Sequence, residues 1–277
     1  MMMQHCKQWI GTGWLLSVLV GVPCVAMAAD NDLDGIDDTI ETTGNITFGG
    51  VTYSPCVAGV ARNACLSPTS KDIFIYVVRS SSGFLATNGL DNAGFLFEFI
   101  TQPKTTTARG KVDGLGVGVH AAFVTAEVPT GSRYVGATDQ KAVQIIADDL
   151  ANSPVFGKAD VGTPTDTGDA TIYPLTIKNY VNALKGGDNT ADWQKYIKQT
   201  FSHELSHMTA LFATYNSRYG GYHTKSGTGV VMDQEVVYNS NNKTFAIPTD
   251  YASGDNPCLL RVDTSNPLNC IGFIIVD

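Results

Sequence analysis

The chain has 277 residues, of which 43% are hydrophobic and 16% charged. That is enough for one sizeable core or for two lobes around a cleft. A net charge of −8 and the absence of any Lys/Arg run exclude a phosphate backbone as a partner.

In chain order, residues 1–28 read as a secretory signal. Lys7 is the one basic residue, IGTGWLLSVLVGV is an apolar core, and small residues at Ala26 and Ala28 end it. The apolar run is too short to span a bilayer, and Val22-Pro23 before Cys24 is not the small pair of a lipid-attachment site. Export to the periplasm or the outside, with no stable membrane insertion afterwards, is the expectation. Residues 30–41, DNDLDGIDDTIE, fit a twelve-residue calcium loop at Asp30, Asp32, Asp34, Ile36, Asp38 and Glu41, with Gly35 for the sharp turn. The competing reading is a solvated acidic tail.

Residues 42–70 suggest loop with short strands. Cys56, Cys65, Cys258 and Cys270 remain once the signal is gone, an even number that suggests two disulfides in an exported chain. The pairs Cys56–Cys65 and Cys258–Cys270 each close a short loop; the spacings match no zinc ribbon. KDIFIYVV (71–78) predicts a buried strand, FLFEFI (95–100) a strand or helix, and GLGVGVHAAFVTAE (114–127) a strand in which His120 is a satisfied core histidine. TDQKAVQIIADDLA (138–151) predicts a helix from Thr138 or Asp139, with Val143, Ile146 and Leu150 on one face. ATIYPLTI (170–177) predicts a strand that Pro174 confines to an edge or an end.

ADWQKYIKQTFSHELSHMTALFATY (191–215) carries the clearest helical period, with Trp193, Ile197, Phe201, Leu205, Met208 and Phe212 in one stripe. Within it His203 and His207 stand one turn apart and leave the same side, so two nitrogens can share one ion. Glu204 is rotated by about 100° from His203. It can approach a water without becoming a ligand. Zinc held there would lower the pKa of a water to ~7, and Glu204 would take its proton. Such a site wants a third protein ligand; the candidates are His223, Asp233, Glu235 and His120. His223 follows Gly220-Gly221-Tyr222, and the nine residues before it can reach back ~30 Å.

His-Glu-x-x-His at 203–207, Gly-x-x-His ending at His223, and a Gly-rich turn holding Met232 together resemble the metzincin zinc proteases. The resemblance covers about residues 71–235. It implies zinc on His203, His207 and His223, Glu204 as the catalytic base, Met232 as an apolar floor, and a protein or peptide substrate. It also implies an α+β fold, with a twisted mixed sheet above the active-site helix and an irregular C-terminal subdomain, making 42–277 the protease domain. Twelve residues separate His207 from Gly220, where the compact motif has two. Ala210 and Ala213 stand at the compact positions, so the spacing is leishmanolysin-like. Two rival readings are a non-catalytic calcium-binding or adhesive module with a structural metal, and a zinc hydrolase with a non-peptide substrate.

Overall fold

A computed structural model describes residues 29–32, 34–80, 83–107, 111, 113–136, 138, 140–159, 169–208, 231–232 and 236–251, and the backbone of 262–263 and 266–270. The expected export signal, 1–28, lies outside them.

The N-terminal part is a small layer. Helix α1 (Asp38–Thr43) starts at Asp37, whose carboxylate accepts from Thr39 N and satisfies one free donor of the first turn. Strands β1 (Ile46–Phe48) and β2 (Val51–Pro55) form an antiparallel hairpin, and β3 (Cys65–Leu66) pairs parallel to β2. Cys56 and Cys65 are joined, as expected from their spacing. Cys258 lies outside the described residues, and Cys270 is described only as backbone. The Cys56–Cys65 bridge closes a sequence separation of 9, which chain-entropy reasoning values at about 2–3 kcal/mol. The double substitution Cys56→Ser/Cys65→Ser should lower unfolding stability by that amount, read from chemical denaturation.

Strand β4 (Asp72–Arg79) is the centre of the molecule. Its Ile73, Ile75 and Val77 face one apolar cluster, and Phe74 faces another, with Tyr76 packed against it. A strand covered on both faces reads as one unbroken apolar run, as it does here. Short helices α2 (Phe84–Thr87), α3 (Ala93–Leu96) and α4 (Glu98–Thr101) follow, so FLFEFI is helical. Then come β5 (Gly118–Val124), β6 (Val143–Ala147), β7 (Gly157–Ala159) and β8 (Asp169–Ile172). The sheet runs β5-β4-β6-β8-β7, parallel except for β7, which pairs antiparallel to β8 at the edge. Together with its helices this mixed sheet makes the chain α+β.

The expected helix over 138–151 is instead β6. Val143 and Ile145 turn to the helix-side cluster, and Gln144 points the other way to bond Val128 N. The strand also pairs on both sides, with β4 and β8. Two ladders of backbone hydrogen bonds and a buried alternating face outweigh the i, i+3, i+7 spacing. Leu150, the last residue of that spacing, is 50% exposed. Of the two places expected for a strand limited by Pro174, an edge or an end, the structure has the end. β8 ends at Ile172 between two neighbours, and Pro174 opens helix α5 (Pro174–Lys185), where its missing N–H costs nothing.

Helix α6 (Thr190–Met208) lies under the sheet. Trp193, Ile197, Phe201, Leu205 and Met208 are all buried, and Phe201 meets Phe97 edge-on with ring centroids 5.8 Å apart. Burying each such side chain contributes roughly 1.5–3 kcal/mol. The hairpin β9 (Val237–Asn239) and β10 (Thr244–Ala246) follows, then the pair β11 (Val262–Asp263) and β12 (Asn266–Cys270). Among the described residues no helix is long and apolar enough to cross a membrane.

Candidate metal centre

The centre grows from the C-terminal turns of α6. Helical geometry puts residues four apart above one another. The Nε2 atoms of His203 and His207 accordingly lie 3.1 Å apart, with ring centroids at 4.8 Å. Two nitrogens held 2.0–2.1 Å from one tetrahedral ion stand about 3.3 Å apart. The two imidazoles therefore converge much as a shared ion would require.

Their pointing is not left to rotamer chance. His203 Nδ1 lies 2.8 Å from the carbonyl oxygen of Val231. A carbonyl only accepts, so Nδ1 carries the proton and the neutral ring offers its lone pair at Nε2, toward His207. One turn earlier, Gln199 Nε2 donates to the same carbonyl at 2.8 Å. Val231 is itself held by its N–H to Asp250 O at 2.7 Å. An outer partner of this kind sets the tautomer and ring plane of a metal-binding histidine. Met232, the expected apolar floor, is the next residue. It is fully buried in the same apolar cluster as Leu205 and Met208, within a turn.

Glu204 sits between the histidines in sequence and only 5% of it is exposed. Burial pushes its carboxyl up to about 8, because the charged form loses its water. An adjacent divalent cation would oppose this shift. Gly157 of the edge strand β7 packs directly on it: a Cβ there would lie 2.8 Å from Glu204 Cγ and would overlap Oε1. Gly157→Ala should therefore displace the carboxylate at a cost of about 1–3 kcal/mol. The check is the loss of unfolding stability, read from chemical denaturation.

His223, Asp233, Glu235, Ala210 and Ala213 lie outside the described residues. His120 is far from an available ligand: fully buried in β5, it bonds Asp72 Oδ1 at 2.6 Å and Asn63 O at 3.2 Å. Tyr238 gives its hydroxyl to Leu184 O at 2.8 Å.

The acidic segment folds onto the start of β4. Asp30 accepts from the N–H groups of Asp34 and Gly35, the latter with φ +89°. Asp34 Oδ1 accepts from Ile36 N at 2.9 Å and its Oδ2 from Asp72 N at 2.5 Å. Carboxylate oxygens of Asp30, Asp32 and Asp34 lie within 4.8 Å of one another, and so do those of Asp34, Glu41 and Asp72. Asp38, by contrast, turns its carboxylate to Asn31. Ile36 is buried against the sheet. Burial pushes the Asp32, Asp34 and Glu41 carboxyls up, to about 7, 8 and 10.

Sequence reasoning missed Val231, Gln199, Gly157 and Asp72. Only Gln199 left a signal, lying four residues before His203 on the same helix face. Compared with family models, with curated proteins and with solved structures, the chain has no match.

Proposed function

We propose that the chain is an exported zinc-dependent endopeptidase of metzincin-like type. The observation that carries this reading is the 3.1 Å convergence of His203 Nε2 and His207 Nε2, on a helix whose next carboxylate is Glu204. Both donors are imidazole nitrogens, which suit zinc. His223 would complete the protein ligands, with Met232 beneath them.

When bound, the zinc would supply Lewis-acid polarisation of a scissile carbonyl and acidify a water at neutral pH. The chain's own residues do the rest. His203 and His207 present their Nε2 lone pairs, and the Val231 carbonyl keeps the first ring from rotating. The Glu204 carboxylate accepts a proton from the attacking water and returns it to the departing amine nitrogen. The buried surroundings of Glu204 keep bulk water from competing for that proton.

The test pairs two measurements on the purified chain: zinc per molecule, and cleavage of a denatured protein substrate followed by mass spectrometry. One zinc per chain with new peptide termini supports the reading. Zinc without cleavage would leave a metal-stabilised module or a hydrolase of another substrate class. His223→Ala should lose zinc; retained zinc would move the third ligand to Asp233 or Glu235.

A further inference from the structure

The acidic segment presents a charge problem that hydrogen bonds do not solve. Glu41 is fully buried, and among the described residues neither of its carboxylate oxygens meets a hydrogen-bond donor. Both carboxylate oxygens of Asp32 are likewise buried without a donor. Glu41 does not point away from its neighbours: one of its oxygens lies within 4.8 Å of a carboxylate oxygen of Asp34 and one of Asp72. Burying a carboxylate without a partner is among the costliest things a fold can do.

Two cations of the chain stand among these carboxylates. Arg62 spans Asp72 and the carbonyls of Cys65 and Ser70. Lys71 bonds the main-chain oxygen of Asp32 and lies near the Asp30, Asp32 and Asp34 carboxylates. Five carboxylates thus face two fixed positive charges. The arrangement around Asp72 is also crowded in a selective way. Gly118 of β5 packs so closely that a Cβ would strike Asp72 Oδ1 and come within 2.7 Å of Arg62 Nη1. Gln140 braces the group from behind, donating to the carbonyls of Asp34 at 2.7 Å and Asp72 at 2.9 Å.

We propose that Asp30, Asp32, Asp34, Glu41 and Asp72 hold one hard divalent cation of calcium's class, which clamps the N-terminal loop and α1 onto the start of β4. All donors are carboxylate oxygens, the set that selects such ions over zinc or copper. Asp34 belongs to both triads and is the hinge of the site. The site differs from a self-contained loop in that Asp72 arrives from a strand 38 residues beyond Asp34. The ion would therefore tie segments together as well as neutralise them. It is independent of the helix α6 pair.

The experiment uses the full chain, freed of metal by chelation and dialysis, and adds calcium chloride alone. Wild type should retain one calcium per chain at ~10⁻³ M free ion. Its thermal midpoint should rise by about 5–10 °C at a hundredfold excess over Kd. Glu41→Gln is isosteric and removes the unpartnered charge. Without metal it should unfold at or above the wild-type temperature, so it is not lost to misfolding, yet it should gain nothing from calcium. The His203→Ala/His207→Ala variant should keep the full calcium response. The proposal is overturned if calcium is not retained and leaves the wild-type midpoint unmoved, or if Glu41→Gln responds as wild type does.

Discussion

Glu204→Gln should lower kcat/KM for peptide cleavage by about 10²–10⁴-fold while zinc stays at its wild-type level. That range corresponds to roughly 3–5 kcal/mol of lost transition-state stabilisation. Glutamine keeps the shape that Gly157 packs against, so the edge strand need not move. It also keeps the fold intact for a reason visible in the charge state. Burial raises the Glu204 carboxyl to about 8, so the metal-free protein near neutrality already holds this side chain uncharged. Glutamine imitates that form and loses only the ability to take a proton. Steady-state kinetics beside metal analysis separates the two roles. Wild-type turnover in this variant would remove Glu204 from the chemistry and place the base elsewhere.

His203→Ala should have the larger effect on the metal. Zinc should fall to background at a concentration that saturates wild type, and cleavage with it, because the convergent pair of nitrogens becomes a single one. The helix itself should survive, since Trp193, Ile197, Phe201 and Leu205 still bury the same face. A graded comparison makes the result specific. Gln199→Leu removes the second donor to Val231 O but leaves His203 bonded to it. Loss of an outer partner of this kind weakens zinc by about 10–100-fold rather than abolishing it. Titration of zinc against a competing chelator measures both. Equal loss in the two variants would mean that the Val231 turn, not the imidazole, is what the centre depends on.

How much of this centre was legible beforehand follows from distance along the chain. His203 and His207 are four residues apart on a helix whose apolar stripe is unmistakable, and helical geometry alone brings their rings together. The Cys56–Cys65 bridge was equally local. The carbonyl that orients His203 lies 28 residues away, and Asp72 meets Asp34 across 38. No periodicity announces either contact, because both depend on how separate elements dock.

The error over 138–151 has the same origin. Val143, Ile146 and Leu150 satisfy a helical period, and propensity is a weak prior. Only the presence of β4 on one side and β8 on the other makes the strand the better solution, by pairing Val143–Ala147 with β4 and Gln144–Ala147 with β8. Pro174 shows the reverse. Its effect was readable, but whether it ended a strand or began a helix turned on the packing of α5 against α6.

By itself, then, the amino-acid order determined what lies within one helical turn or one short loop: the α6 stripe, the paired imidazoles, the carboxylate beside them, the small disulfide and the acidic run. The tertiary structure decided everything that needs two distant segments. It chose strand over helix for β6, brought Val231 beneath His203, pressed Gly157 onto Glu204, and carried Asp72 into the acidic group. The physical reason is that local patterns fix dihedral angles and faces, whereas buried polar groups must find their partners wherever the packed chain happens to place them.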